Sequence, residues 1–141
     1  MIRTIPVDDT ARAFLRAAGL PVDDLVAPVA VQLFGVFDGD ALVGVVGLER
    51  AGDAALLRSL AVVDARRGAG YGRALVAFAE REAAAQGVRC LYLLTTTAAD
   101  FFDRLGYRRI ARNEVPRAIA ATPQFAMLCP ASSTCMAKAP Q

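Results

Sequence analysis

The chain has 141 residues, 55% of them hydrophobic, with 16 basic against 14 acidic side chains and no histidine. One domain is expected at that length. The missing histidine excludes a Ser–His or Cys–His catalytic pair and any histidine-ligated metal, and a net charge of +2 with no basic run between aromatics speaks against nucleic acid.

The longest apolar stretch, Ala41 to Leu48, is only strand-sized, whereas a membrane span needs roughly 20 residues. The opening "MIRTIPVDDTARAF" lacks a basic region followed by an apolar core, so no signal peptide and a cytoplasmic location are expected. Three cysteines, an odd number, fit a reduced protein better than a disulfide scaffold.

In chain order, residues 2–6 read as a first strand. "DDTARAFLRAAGLP" reads as a helix that starts near Asp8 or Asp9 and stops at Gly19 before Pro21. Leu25 and Val26 are expected in a second, short helical piece. "VQLFGVFDGDALVGVVGLE" is a β-hairpin closed by Asp38-Gly39-Asp40, and a turn at Ala51-Gly52-Asp53 leads into the strand "ALLRSLAVV". Next comes "DARRGAGYGRALVAF", a glycine-rich turn that runs into a helix from Arg73 to Gln86, closed by Gly87.

"VRCLYLLT" is a further strand, parallel to its predecessor because a helix crosses between them. "AADFFDRLG" is a short amphipathic helix and "YRRIAR" a strand; a short helix around Arg117 to Ala121 and a last strand, Thr134 to Lys138, complete the chain. The order β-α-α-β-β-β-α-β-α-β-β predicts one α+β domain over residues 1–141.

The glycine-rich turn carries the first chemistry. Glycine permits sharp turns and close backbone approach, and a helix N-terminus offers unpaired N–H groups with a partial positive charge. The N–H groups of Gly68, Gly70, Tyr71, Gly72 and Arg73 can converge as an anion nest, with Arg66, Arg67 and Arg73 adding positive charge.

These features resemble the GNAT family of acetyl-CoA-dependent N-acetyltransferases. Its signature of glutamine or arginine, two spacers, glycine, one spacer, then glycine or alanine is matched by Arg67-Gly68-Ala69-Gly70-Tyr71-Gly72, after a strand and at the start of a helix. "FFDRLGYRR" resembles the family's downstream segment. The resemblance implies a GNAT fold: a central mixed, mostly antiparallel twisted sheet of about six or seven strands, flanked by helices, with a splayed parallel pair forming the cofactor cleft. It implies acetyl-CoA as co-substrate and no metal. The pyrophosphate would lie on Arg67, Gly68, Ala69, Gly70, Tyr71, Gly72 and Arg73. The bulged strand Leu57 to Val63 would present the main chain of Leu60, Ala61 and Val62 to the pantetheine arm, with the N–H of Leu60 donating to the thioester carbonyl.

Two positions depart from the family pattern. Phe102 stands, beside the cofactor, where many members have a tyrosine that protonates the leaving thiolate, and Thr95 stands where an asparagine is often found. Direct transfer then leans on proximity of a neutral amine to the thioester. Glu49, at the end of the third strand, is the candidate base acting through water, or else an exposed edge carboxylate. Thr95, Thr96 and Thr97 either bind substrate and bridge to the thiol or cap the next helix; Thr95 is carried as catalytic and Thr96 as substrate-binding. Tyr92 is a further proton donor if its alternation points it into the cleft.

"LYLLTTTAADFFDRLGYRR" also looks like the same segment of acetyltransferases that act on the α-amine of glutamate. "LLTTTAADFFDRLGY" and the tail "LCPASSTCMAK" are similar to the arsenic-resistance-linked branch of the family. That resemblance implies a small acidic amino acid as acceptor, a glutamate analogue such as arsinothricin or phosphinothricin. Arg58 is the candidate partner for its carboxylate, with Arg104 and Arg117 as alternatives. A different reading is a non-catalytic acetyl-CoA-binding protein, or one that binds arsenicals through Cys129 and Cys135. In related enzymes a tail strand pairs across a dimer, so a homodimer is open.

Overall fold

The computed structural model describes residues 1–25, 30–128 and 132–140. Seven strands form one sheet: β1 (Ile2–Ile5), β2 (Val31–Asp38), β3 (Ala41–Ala51), β4 (Ala54–Val62), β5 (Cys90–Thr95), β6 (Arg108–Ile110) and β7 (Thr134–Lys138). Their spatial order is β1-β2-β3-β4-β5-β7-β6, and every neighbouring pair is antiparallel except β4–β5. Four α-helices join them: α1 (Asp9–Ala17), α2 (Tyr71–Ala85), α3 (Ala99–Arg104) and α4 (Arg117–Ala120).

Local chemistry explains where these elements begin. Asp8 caps α1 by accepting from the N–H of Ala11 at 2.9 Å. In α2, Leu75, Val76, Ala79 and Ala83 recur at helical spacing and are buried. They pack on one face of the sheet with Phe34, Val46, Leu48, Leu57, Leu91, Leu93 and Met136. The α1 residues Ala11 and Leu15 cover the other face with Leu33 and Val45. Covered on both sides, the centre of β3 is buried at every position from Val43 to Glu49. Gly44 lets α2 come close there: a Cβ would lie 2.9 Å from Leu75 Cδ1 and from Val36 Cγ1.

The parallel pair shapes the molecule for function. β4 and β5 are paired only at Ala54–Cys90, Ala55–Leu91 and Leu56–Tyr92. Beyond Leu56, β4 continues to Val62 and β5 to Thr95 without pairing to each other, so the sheet opens into a wedge. Over the same stretch, β4 changes register against β3 between Val45–Ala61 and Gly47–Arg58. The extra residue of this bulge includes Ser59, at φ 59°, where an L side chain is uncommon.

Three expectations change. Leu25 is not helical: it closes a turn through its N–H to the carbonyl of Val22 at 2.9 Å and is buried against α1, while Val26 lies outside the described residues. α2 begins at Tyr71 rather than Arg73, because Gly70 at φ 86° takes the N-cap position. The tail strand β7 inserts between β5 and β6 of its own chain, which occupies both of its edges. Among the described residues no helix is long and apolar enough to cross a membrane.

Candidate active site

The wedge between β4 and β5 holds two adjoining cavities, and Leu20, Leu60, Thr97 and Ala98 line both. The larger, about 870 Å³, runs from the end of β4 over the N-terminus of α2. Val63 donates its N–H to Val43 of β3 at 2.9 Å. By the two-residue alternation of a strand, the main-chain groups of Leu60 and Val62 therefore face the open side. The carbonyl of Val62 indeed meets Arg67 Nε at 3.4 Å there.

At the far end, Gly68 and Gly70 hold φ of 83° and 86°, which turn the chain so that α2 starts over the cavity. The first intrahelical bond is Ala74 N–H to Gly70 O at 3.0 Å, so the N–H groups of Tyr71, Gly72 and Arg73 precede it without helical partners. Arg66, Arg67, Arg73 and Arg104 surround them. Arg66 is paired with Asp38, and Arg67 with Asp64 at 3.2 Å.

Nine residues expected at the cofactor line this cavity: Leu60, Ala61, Val62, Arg67, Gly68, Gly70, Tyr71, Gly72 and Arg73. Two do not. Ala69 turns its N–H back to the carbonyl of Arg66 at 3.4 Å. Phe102 is buried between Phe101 and Tyr107 and reaches the smaller cavity instead, while Phe101 lines the larger one. Successive residues on the helix α3 diverge by about 100°, which sends the two rings to different cavities.

The smaller cavity, about 350 Å³, is enclosed by the β4 bulge, the end of β5, the loop after α1 and the segments before β7. Thr95, Thr96 and Thr97 line it. Thr95 Oγ1 accepts from the N–H of Ala98 at 2.9 Å, which closes the turn ahead of α3 without capping that helix, and its own hydroxyl proton stays free to donate. Tyr92 lies on the opposite face, with Leu94 and Ile110 against Ile119 and Phe125. Burial, then the neighbouring Cys90 thiol, pushes its phenol up to about 12. It is absent from the walls of the cavity.

The two charged residues expected here are brought together, in different roles. Arg58 lines the cavity, but its side chain is 0% exposed. Nη1 and Nη2 donate to the two carboxylate oxygens of Asp24 at 2.5 and 2.8 Å, Nη1 also to Glu49 Oε1 at 3.0 Å, and Nε to Ser59 Oγ at 3.1 Å. These carboxylates raise the Arg58 pKa against the burial that would lower it. Arg58 is thus engaged by protein carboxylates instead of waiting for a substrate's. Glu49 is neither an exposed edge carboxylate nor part of the cavity wall; it is buried on Arg58. Of the alternative arginines, Arg104 belongs to the larger cavity and Arg117 to neither.

Sequence reasoning missed Asp24, Ser59, Gln124 and Ser133. Nothing local marks Asp24, whose partner Arg58 is far along the chain, and a serine in a left-handed bulge has no composition signal. Cys135 is buried in β7, where burial pushes its thiol up, and Cys129 lies outside the described residues. Among the described residues no cluster of His, Cys, Asp or Glu could hold a metal ion.

The family model described as an acetyltransferase (GNAT) domain matches residues 30–109, more than half of the chain. The chain belongs to the GNAT acetyltransferase family. An uncharacterized N-acetyltransferase of Chlorobaculum tepidum is 40% identical over 63 residues, which span 45% of this chain and 40% of that protein. The fold is that of Rv2747 from Mycobacterium tuberculosis, solved in complex with CoA, with a TM-score of 0.79, 19% identity and coverage of 99% of this chain and 98% of that one. It is also that of N-acetylglutamate synthase from Neisseria gonorrhoeae, solved with coenzyme A and N-acetyl-glutamate. There the TM-score is 0.76 at 17% identity, covering 100% of this chain and 35% of that one. The sheet with its single parallel pair, opened at β4–β5, is the GNAT fold expected from the sequence.

Proposed function

We propose that this GNAT protein is a cytoplasmic acetyl-CoA-dependent N-acetyltransferase that moves an acetyl group directly to the amine of a small molecule. The observation that carries the reading is the continuous run from the open main chain of Leu60 and Val62 to the unpartnered N–H groups at the start of α2. A pantetheine arm is an extended amide chain that can pair as a strand with β4, and a pyrophosphate fits a glycine-lined helix N-terminus. Two structural neighbours were solved with coenzyme A.

In this reading Gly68, Gly70, Tyr71, Gly72 and Arg73 hold the pyrophosphate, and Leu60 N–H donates to the thioester oxygen as charge develops on it. The neutral acceptor nitrogen attacks from the smaller cavity; the C–N bond forms, the C–S bond breaks, and the proton the nitrogen gives up passes to the departing sulfur, so coenzyme A leaves as its thiol. Thr95, whose hydroxyl proton is free, hydrogen-bonds the departing sulfur. Phe102 has no proton to give and closes the apolar wall of that cavity. Glu49 serves as counter-ion to Arg58.

The acceptor is a small amine. Glutamate and its analogues arsinothricin and phosphinothricin, which the branch resemblance implies, enter the test without the anchor expected for them, since Arg58 is already bound by Asp24 and Glu49. The test is thiol release from acetyl-CoA against a panel of amines and amino acids, together with calorimetric binding of acetyl-CoA. Turnover with at least one small amine is expected. Tight binding of acetyl-CoA with no turnover would favour a non-catalytic binding module.

A further inference from the structure

We propose that the acceptor cavity selects a compact amine that carries a second hydrogen-bond donor and no carboxylate: a diamine or an amino alcohol. The inference rests on the acetyltransferase reading and names the substrate class of the same site.

Two independent features of the cavity point this way. The first is charge. Arg58 is the single cation among the described residues of its walls, and it is engaged on Nε, Nη1 and Nη2 by Ser59, Asp24 and Glu49. One guanidinium against two carboxylates leaves the cluster with one net negative charge directly behind the bulge. A substrate carboxylate entering here would shed its water with no unengaged cation to receive it and with like charge nearby, both unfavourable.

The second feature is on the segments before β7. Gln124 is 6% exposed, and its Oε1, although buried, has no hydrogen-bond partner. Ser133 Oγ is likewise buried and unpartnered. Both residues line the cavity. Buried polar atoms are nearly always paired, so two orphans on residues that line one cavity mark a place completed by something else. An amide oxygen can only accept; what completes it is an N–H or O–H. An ammonium or hydroxyl group meets that need at Gln124 Oε1, where a carboxylate would set acceptor against acceptor, and Ser133 Oγ can accept from such a donor as well. The volume of about 350 Å³ lies at the small end of ligand pockets, roughly 300–1,000 Å³, which keeps the acceptor compact. The amine near Leu60 is the one acetylated, and the second donor ends on Gln124 and Ser133.

The experiment compares three acceptor groups by thiol release with the full chain: 1,4-diaminobutane and 4-amino-1-butanol; alanine; and glutamate with phosphinothricin and arsinothricin. Each is measured on the wild type and on Gln124→Leu, Ser133→Ala and Asp24→Asn, with melting curves to confirm folding. The diamine and amino alcohol are expected to exceed the acidic amino acids in kcat/KM by at least about tenfold. Losing the donor's buried partner in Gln124→Leu should raise their KM by about tenfold, while the KM for acetyl-CoA stays within about twofold; Ser133→Ala, the milder change, should act in the same direction. Asp24→Asn, which removes the net negative charge, should narrow the gap between the diamine and glutamate. Preference for an acidic amino acid, or an unchanged acceptor KM in both folded Gln124→Leu and Ser133→Ala, overturns this inference and leaves the acetyltransferase standing. No transfer to any of these amines despite bound acetyl-CoA overturns both.

Discussion

The two cavities of the wedge are built in opposite ways. The larger draws most of its wall from one continuous stretch, Leu60 to Arg73, and offers mainly backbone: the open edge of β4, two glycines with positive φ and the first N–H groups of α2. The smaller draws side chains from the loop after α1, the β4 bulge, the end of β5, α3 and the segments around Gln124 and Ser133. A backbone site tolerates changes of side chain but not of backbone conformation. A side-chain site tolerates drift in backbone but fails when one member of its network is removed. The first suits a constant ligand and the second a ligand that varies between relatives.

Substitutions on the two sides should therefore fail differently. The largest effect is expected from Arg58→Met, which leaves Asp24 and Glu49 as facing buried carboxylates; removing one partner of a buried ion pair costs about 3–5 kcal/mol, read as a drop in unfolding free energy in urea. Ser59→Val puts a β-branched side chain at φ 59° and removes the hydroxyl that accepts from Arg58, a loss of about 2 kcal/mol in the same assay. On the cofactor side the damage should appear in binding. Gly70→Val meets no atom within 4 Å, so its effect comes from the left-handed backbone alone. That conformation disfavours an L side chain by about 1–2 kcal/mol, and acetyl-CoA affinity should weaken about tenfold by calorimetry while the acceptor side keeps its structure.

Smaller effects sharpen the contrast. Thr95→Val removes the acceptor for Ala98 N–H and should lower stability by about 1 kcal/mol. If Thr95 also donates to the leaving sulfur, kcat falls in Thr95→Val and returns in Thr95→Ser, which a turn-closing role alone does not require. The smallest effect is expected from alkali. Tyr92, held at about 12, and Tyr107, pushed above the phenol range by burial and the Glu80 carboxylate it donates to, ionise later folded than unfolded. The unfolded chain releases those protons first, from about pH 10, so this stabilisation is complete below pH 10 and lost as pH rises towards 12. The urea midpoint should fall over that window, and less so in Tyr107→Phe.

Much of this molecule was legible from residue order. Capping at Asp8, the turn at Asp38-Gly39-Asp40, the spacing in α2 and the glycines before it act over a few residues, and those elements stand within a residue or two of expectation. Leu25 was misread because a turn tied to Val22 and burial against α1 overrode a weak local preference. The acceptor side is less legible. Arg58 was expected to meet a substrate carboxylate and Glu49 to be a base, yet each is the other's partner, joined by an Asp24 that no local pattern singles out.

Residue order alone sets the succession of elements, the parallel crossover and the glycine-rich start of α2, because backbone preference and hydrophobic period are local properties. Which charges meet, where the β4 bulge places Ser59, and that Gln124 and Ser133, each with a buried unpaired polar atom, line one cavity follow from the folded arrangement alone. Such pairings join residues distant in the chain, and their free energy depends on burial and geometry that exist only after the sheet has closed around them.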